Sequence, residues 1–313
     1  MVQEIPDGFP VPNYRFENNP LTEQGFQLGR KLFYDGRLSR DGNFPCASCH
    51  QQFAAFSTFD HNLSHGFNNA FTTRNAPALF NLAWQKEFHH DGGINNIEVQ
   101  PLAPITAVNE MAETIDNIIV KLEADEDYKN MFRQAFGDET INSQRILKAL
   151  AQFTASITSA DSRYDRMLKG KASFDAFEQR GYTIFKARCT TCHPEPLFTD
   201  FSYRNIGLPM DPYLKDLGRM RITNNPADSL KFKVPSLRNA NITYPYMHDG
   251  RFYGLTQCVQ HYRQENITPS STLDPLLANG MQLSDQDVSD LVAFLRTLTD
   301  STLIANPRFS QPQ

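Results

Sequence analysis

The chain has 313 residues, a formal net charge of −5 and 40% hydrophobic residues, among them 24 Phe. This length allows two domains of about 150 residues each, and the apolar content is sufficient for packed cores. The acidic balance argues against a nucleic-acid-binding protein. No run of 18 apolar residues is present, so the sequence predicts no transmembrane helix.

Helical periodicity dominates the chain. Apolar residues recur at helical spacing in four segments, 21–33, 114–136, 146–157 and 174–186. Near the C-terminus, Ser284 followed by Asp287 is typical of a capping box that opens a last helix. Few segments alternate like strands, so the fold is predicted to be mostly α.

A polar stretch at 159–173 separates two of these helices. We interpret it as the passage between two domains. The predicted limits are 1–160 for the N-terminal domain and 161–313 for the C-terminal domain.

Two Cys-x-x-Cys-His motifs, Cys46-Ala47-Ser48-Cys49-His50 and Cys189-Thr190-Thr191-Cys192-His193, use four of the five cysteines. Each motif offers two thiols for thioether bonds to haem and an imidazole for the iron. A zinc knuckle or a redox dithiol does not require His at both sites, and chance would produce roughly 0.002 such motifs per chain. The sequence therefore predicts two covalently bound haems c, one in each half. The fifth cysteine, Cys258, is interpreted as a small core residue on a helix.

The haem motifs also bear on cellular location. Haem c is normally attached outside the cytoplasmic membrane, whereas the first 20 residues are polar and Pro-rich, unlike a signal peptide. We therefore expect an exported, periplasmic bacterial protein whose signal peptide is absent from this chain. Lipid anchoring is left open.

A weak internal repeat follows the two motifs. Pro77-Ala78-Leu79-Phe80-Asn81 precedes His90-Asp91-Gly92, and Pro235-Ser236-Leu237-Arg238-Asn239 precedes His248-Asp249-Gly250 at the same offset. Because each copy follows its own haem motif, we expect two cytochrome-c-like haem domains related by an internal duplication.

Equivalent positions in the repeat differ in one respect that affects the iron. Fourteen residues beyond each His stand Pro104 and Tyr262. A phenol oxygen can ligate iron, whereas proline has no side-chain donor. Haem 2 is thus predicted to be held by His193 and Tyr262, and haem 1, held by His50, to keep an open position. The alternative ligands of haem 2 are His261, Met247 and Met281.

Glu110 and Gln100 flank Pro104 in the sequence. A carboxylate beside an open haem can move a proton from the inner to the outer oxygen of hydrogen peroxide, which makes water the leaving group. Glu110 is therefore the acid–base candidate. The alternative is an N-terminal dipole partner for a helix over 111–122.

These residues belong to strings that resemble the bacterial di-haem cytochrome c peroxidase and MauG family over nearly the whole chain. The matching strings include Leu28-Gly29-Arg30-Lys31-Leu32-Phe33-Tyr34-Asp35, Arg74-Asn75-Ala76-Pro77 and Phe232-Lys233-Val234-Pro235-Ser236-Leu237-Arg238-Asn239. The resemblance implies a peroxidatic haem 1 with Gln100 and Glu110 on its distal side, and an electron-transfer haem 2. It also implies a Ca²⁺ ion bound by the side chain of Asn75 and the backbone carbonyls of Thr243 and Pro245.

Three positions distinguish members of this family. Tyr262 stands where the best-known peroxidases have Met and MauG-type members have Tyr, which implies a low-potential haem 2. His90 stands where many relatives have a Trp between the haems. The only Trp, Trp84, is interpreted as a core or surface aromatic rather than an electron relay. His65 lies before Gly in a loop where some peroxidases use a His to block haem 1 at rest, so it is a candidate ligand of the haem 1 iron.

The resulting functional hypothesis is a di-haem peroxidase. It reduces hydrogen peroxide at haem 1 with electrons that enter through haem 2 from a small cytochrome c or cupredoxin. The main alternative is a MauG-type oxidase that uses peroxide to oxidise aromatic residues of a partner protein. A third is a non-enzymatic electron carrier or redox sensor. The sequence leaves open whether the functional unit is a homodimer.

Overall fold

The structure is a computed structural model that describes residues 1–313. The chain forms two compact units. Unit 1 contains Met1–Glu87, Ile94–Thr158 and Leu303–Gln313, and unit 2 contains Phe88–Gly93 and Ser159–Thr302. The domain limits 1–160 and 161–313 stay a prediction. The two units divide after Thr158, close to the predicted limit. Two short segments are exceptions, since Phe88–Gly93 belongs to unit 2 and Leu303–Gln313 belongs to unit 1.

Unit 1 is helical. Its helices are α1 (Glu23–Phe33), α2 (Cys46–Cys49), α3 (Leu102–Thr106), α4 (Ile115–Glu123), α5 (Glu126–Phe136) and α6 (Ser143–Thr154). Helix α1 begins after Thr22, whose side chain accepts a hydrogen bond from the Gly25 N–H. It packs against α6 at Gly29, where a Cβ atom would collide with the carbonyl oxygen of Ala149. Glycine is therefore needed at this crossing because the two backbones touch.

Unit 2 repeats this arrangement. Its elements are α7 (Arg163–Leu168), α8 (Ala176–Arg188), β1 (Tyr203–Arg204), α9 (Met220–Thr223), β2 (Phe232–Lys233), α10 (Leu255–His261) and α11 (Asp285–Arg296). The two short strands pair antiparallel, with Tyr203 opposite Lys233. Helices α8 and α11 meet at Gly181, where a Cβ atom would collide with the carbonyl oxygen of Asp290. The chain returns from unit 2 to unit 1 after Thr302, within a last helix, α12 (Ser301–Ala305).

The observed helices confirm a mostly α fold and add detail in two segments. The segment 114–136 is two helices, because the side chain of Asp125 accepts a hydrogen bond from the Asp127 N–H and so opens α5. The polar stretch 159–173 contains α7, which is opened by a capping box between Ser162 and Asp165. The capping box predicted at Ser284 is confirmed.

The duplication is visible in the backbone. Asn81 and Asn239, the last residues of the two sequence repeats, both adopt the left-handed conformation, with φ of 56° and 58°. Their N–H groups donate to the carbonyl of Ile157 (2.8 Å), after α6, and to that of Leu298 (3.0 Å), after α11. The same local geometry thus ties each repeat to the end of its unit's long helix.

Each unit has an aromatic core. In unit 1, Phe33, Phe56 and Phe153 contact Phe309 or one another, with ring centroids 5.0 to 6.4 Å apart. Phe309 lies in the C-terminal segment, which explains why that segment belongs to unit 1. The core of unit 2 is built around Phe294. None of the helices has the length and hydropathy required to cross a membrane.

Candidate functional site

The first haem motif forms the short helix α2 and the turn after it. Neither Cys46 nor Cys49 forms a disulfide, so both thiols can form thioether bonds. The Nδ1 atom of His50 lies 3.0 Å from the carbonyl oxygen of Phe56, a geometry in which an Nδ1–H donates. This hydrogen bond orients the ring and leaves Nε2 as the nitrogen available to iron. The motif therefore has the donor set that a covalent haem c requires.

A cavity lies beside this motif within unit 1. It contains about 660 Å³ of empty space, part of it open to solvent. Its lining includes both thiols and the imidazole of the motif. It also includes the side chains predicted to surround haem 1, which are His65, Gln100, Pro104 and Glu110. The fold thus brings together residues that are far apart in the sequence.

Glu110 lies in a turn after α3. Its backbone N–H donates to the carbonyl of Ala107 (3.0 Å), and its carbonyl accepts from the Phe67 N–H (2.7 Å). Burial raises the pKa of the Glu110 carboxyl. Burial also raises the pKa of Cys49, and the charge of Glu110 contributes to that shift, which locates the carboxylate near the haem attachment point.

Pro104 is part of α3, and its carbonyl accepts a hydrogen bond from the Met111 N–H (3.1 Å). Its ring presents only carbon atoms to the cavity, so no axial ligand comes from this position. The predicted open coordination position of haem 1 is compatible with this lining.

His65 lies on a short hairpin rather than in an extended loop. It pairs with Phe71 in an antiparallel bridge, and the two rings are 4.4 Å apart. Its Nδ1 atom is 2.6 Å from Oδ1 of Asn69. Because an amide oxygen accepts, Nδ1 carries the proton and Nε2 is the basic nitrogen of the ring. His65 thus has the tautomer that a metal ligand requires, and its role at haem 1 stays a prediction.

The second motif follows α8 and repeats the arrangement of the first. Neither Cys189 nor Cys192 forms a disulfide, so these two thiols can also form thioether bonds. The Nδ1 atom of His193 lies 2.9 Å from the carbonyl oxygen of Phe198. Burial lowers the pKa of His193, which favours the neutral imidazole that binds iron.

Tyr262 follows the last residue of α10, where its carbonyl accepts from the Met281 N–H (2.7 Å). Burial raises the pKa of the Tyr262 phenol far above its usual value. The nearby thiols of Cys258, Cys189 and Cys192 add to this shift. These contributions indicate that the buried phenol lies near the second haem motif, as a ligand of haem 2 would have to.

The neighbours of Tyr262 are less suited to ligate haem 2. Nε2 of His261 is 2.9 Å from the carbonyl oxygen of Ile206, so this ring is engaged elsewhere. Cys258 is a partly buried residue of α10, and burial raises the pKa of its thiol to about 12. It fits the small core residue expected from the sequence.

The remaining predicted residues lie in both units. In unit 1, the Asn75 side chain donates to the carbonyls of His61 and Asn62, which orients its carboxamide. Thr243 and Pro245 lie in unit 2. No group of three or more His, Cys, Asp or Glu side chains forms a metal site. The calcium site stays a prediction.

The residues around the predicted bridging position are held by hydrogen bonds. The His90 carbonyl accepts from the Lys233 N–H (2.7 Å). Trp84 is buried in unit 1, where its Nε1–H donates to the Pro10 carbonyl (2.7 Å) and its ring contacts Phe9. This confirms Trp84 as a packed core aromatic.

Sequence reasoning missed three kinds of supporting residue. They are the carbonyls of Phe56 and Phe198, the amide of Asn69, and a carboxylate, Glu195, that two tyrosines share. A signal for the first was available, since a Phe follows each motif histidine by five or six residues. The others depend on contacts across turns or between helices.

Comparison with known proteins agrees with this geometry. The profile of the di-haem cytochrome c peroxidase family matches residues 23–173, and that of cytochrome c matches residues 178–299. These families imply covalently bound haem c, and two haems fit a di-haem family.

Individual relatives cover nearly the whole chain. The methylamine utilization protein MauG of Methylophilus methylotrophus is 36% identical over 95% of this chain and 88% of its own. The cytochrome c551 peroxidase of Nitrosomonas europaea is 33% identical over 93% and 83%. The crystal structure of a MauG-like protein associated with microbial copper homeostasis superposes with a TM-score of 0.90 at 34% identity, covering 100% of this chain and 99% of that protein. The chain has two haem motifs, each with a histidine oriented by a backbone carbonyl. It is an oxidoreductase that belongs to the di-haem cytochrome c peroxidase and MauG family.

Proposed function

We propose that the protein reduces hydrogen peroxide to water at haem 1 and draws the electrons through haem 2. The observation that carries this proposal is the single cavity that contains His50, Gln100 and Glu110. It combines an imidazole ligand, a polar amide and a carboxyl group whose pKa is raised by burial. These are the groups that cleavage of a peroxide O–O bond requires.

In this proposal Glu110 is the proton carrier. It takes the proton from the inner peroxide oxygen and delivers it to the outer oxygen, which leaves as water. Gln100 donates or accepts a hydrogen bond that holds the peroxide, and Pro104 keeps the axial position clear of side-chain donors. The haem, when bound, would supply the redox chemistry of O–O cleavage, in which the peroxide takes two electrons from the protein.

Haem 2 would be held by His193 and Tyr262. The closeness of the phenol to Cys189 and Cys192 supports this assignment, as does the engagement of His261 with a backbone carbonyl. An anionic oxygen ligand stabilises oxidised iron more than a thioether does. Haem 2 would therefore have a low reduction potential and would share oxidising equivalents with haem 1.

The second candidate is a MauG-type oxidase, which uses peroxide to remove electrons from aromatic side chains of a partner protein. Tyr262 is the observation that favours it. In this case the partner is a protein substrate, whereas a peroxidase needs a small cytochrome c or cupredoxin as electron donor. A non-enzymatic carrier or sensor would show no peroxide turnover.

We also propose the surrounding features that the resemblance implies. They are a Ca²⁺ ion bound by Asn75, Thr243 and Pro245, a periplasmic location, and His65 as a ligand of haem 1 in the resting state. The unprotonated Nε2 of His65 supports this histidine as an iron ligand, and the orientation of the Asn75 carboxamide supports Asn75 as a calcium ligand.

The test is stopped-flow mixing of oxidised holoprotein with hydrogen peroxide, with and without prior one-electron reduction, while the haem spectrum is recorded. Fast reaction of the fully oxidised protein favours the MauG-type candidate. Reaction after reduction alone favours the peroxidase and a blocking role for His65. Absence of reaction in both states refutes peroxide chemistry.

A further inference from the structure

Two tyrosines of unit 2 share one carboxylate oxygen. The phenols of Tyr164 and Tyr182 donate to Oε1 of Glu195 at 2.6 and 2.8 Å. The other carboxylate oxygen, Oε2, accepts from Nζ of Lys186 at 2.6 Å. Tyr164 is buried and Tyr182 is partly exposed, and their ring centroids are 6.1 Å apart. The pair thus extends from the core of unit 2 towards its surface.

This pair is connected to the second haem motif by direct contacts. The carbonyl of Phe198 accepts the hydrogen bond from His193, the proposed iron ligand. The ring of Phe198 contacts the ring of Tyr164, with centroids 4.9 Å apart. Because tunnelling rates fall exponentially with distance, groups linked by such contacts exchange electrons readily.

Unit 1 also has two phenols that donate to carboxylates, Tyr14 to Glu98 and Tyr128 to Asp35, but neither ring is among those that contact the partner of its motif histidine. The partner of His50, Phe56, is surrounded by phenylalanines, which are hard to oxidise. The nearby Tyr34 donates to the backbone carbonyl of Phe309 (2.7 Å), and a carbonyl cannot keep a proton released by an oxidised phenol. What distinguishes the surroundings of His193 is therefore a carboxylate-bonded phenol, Tyr164, in ring contact with Phe198, the partner of that histidine.

We propose that Tyr164 and Tyr182 form a redox-active pair that supplies an electron to haem 2 after hydrogen peroxide has oxidised the protein. One electron leaves a phenol for the haem. The phenol proton moves along the existing hydrogen bond to Oε1 of Glu195, and a neutral tyrosyl radical remains. The second oxidising equivalent of the peroxide stays on the haems. The pair would hold one equivalent away from the iron until a donor or substrate protein reduces it.

The inference rests on the proposed function, because peroxide is the oxidant. The first experiment mixes oxidised holoprotein with hydrogen peroxide, freezes the sample, and records the haem absorption and the electron paramagnetic resonance spectrum. We expect an organic radical signal that narrows when the protein contains ring-deuterated tyrosine. Tyr164→Phe/Tyr182→Phe should lose this signal while the haem content and the initial haem reaction stay unchanged. Tyr34→Phe is the matched control and should keep it.

An unchanged signal in the double variant would overturn the pair. If the double variant does not bind haem, the single variants Tyr164→Phe and Tyr182→Phe replace it. Each single variant leaves Glu195 with two of its three hydrogen-bond donors. At least one of them must lower the radical yield. Glu195→Gln retains both phenols but lacks the proton acceptor, and it should also lose the signal.

A second oxidant separates this inference from the proposed function. Flash oxidation with a ruthenium(III) tris-bipyridine complex removes electrons without peroxide. A radical that depends on Tyr164 and Tyr182 under these conditions supports the pair even if peroxide leaves the haem spectrum unchanged. Haem oxidation by peroxide together with no such radical under either oxidant overturns the pair and leaves the proposed function standing.

Discussion

Replacement of Glu110 by Gln tests the chemistry of the haem 1 cavity most directly. The substitution keeps the size of the side chain and removes its ability to carry a proton. The backbone of the turn should stay in place, because it is held by the bonds from Phe67 and to Ala107. The cavity would then contain two amides, those of residue 110 and Gln100, and neither can transfer a proton between peroxide oxygens.

The magnitude follows from the loss of general acid–base help. Such help contributes between about 100-fold and 10,000-fold, so we expect peroxide turnover to fall about 100-fold or more. This corresponds to a barrier increase of about 2.7 kcal/mol or more. The assay is steady-state and single-turnover reduction of hydrogen peroxide by protein whose haem content has been measured. Glu98→Gln is the matched control, since this carboxylate of unit 1 accepts from Tyr14 and is not part of the cavity lining.

The pH dependence provides a second readout of the same group. Burial raises the pKa of Glu110, and the first proton transfer needs the ionised carboxylate. The rate should therefore rise with pH through a pKa above the usual value for Glu, and this rise should be absent from the Gln variant. A fully haem-loaded Glu110→Gln protein that keeps wild-type turnover and the same pH profile would refute the reasoning.

Three further predictions concern ligation and stability. Tyr262→Met should raise the reduction potential of haem 2, because a thioether stabilises reduced iron relative to a phenolate; redox titration measures this, and an unchanged potential would contradict the assignment. Gly181→Ala should lower the free energy of unfolding by about 1–3 kcal/mol in urea titrations, because the new methyl group collides with the Asp290 carbonyl; equal midpoints would count against a tight crossing. Arg238→Met should cost about 3–5 kcal/mol at neutral pH, since it leaves Asp165 buried without its bidentate partner. Burial opposes ionisation of Asp165, but the bonds from Arg238 outweigh it and lower its pKa in the folded state. The stability from this pair is therefore present above about pH 4, the unfolded pKa, and is lost as the pH falls further, so the difference between wild type and Arg238→Met should shrink in acid.

Local sequence patterns were sufficient for several features. The helical segments, the capping box at Ser284 and the weak repeat all depend on spacing within short stretches, and the structure contains each of them. In the segment 114–136 the apolar period runs across the break between α4 and α5. The N-cap at Asp125 is a single side-chain hydrogen bond, and periodicity does not detect it.

Local patterns do not show which residues line the cavity or which compact unit a segment of the chain joins. The C-terminal segment Leu303–Gln313 follows the second haem motif in the chain, yet it belongs to unit 1 because Phe309 completes that unit's aromatic core. No local pattern shows which of two apolar cores a terminal phenylalanine will join. The sharing of Glu195 by Tyr164 and Tyr182 likewise depends on how α7 and α8 pack.

The sequence by itself determined the cofactor chemistry, because covalent haem attachment requires two thiols and an imidazole at fixed spacing within five residues. It also indicated the twofold design, since each motif is followed by a similar Pro-x-Leu-x-Asn string, and a His-Asp-Gly comes at the same offset after each string. Only the tertiary structure decided that Glu110, Gln100 and His65 line one cavity with His50, and that Tyr262 lies near Cys189 and Cys192. The reason is physical: attachment depends on neighbours along the chain, whereas acid–base chemistry and axial ligation depend on distances that chain folding alone establishes.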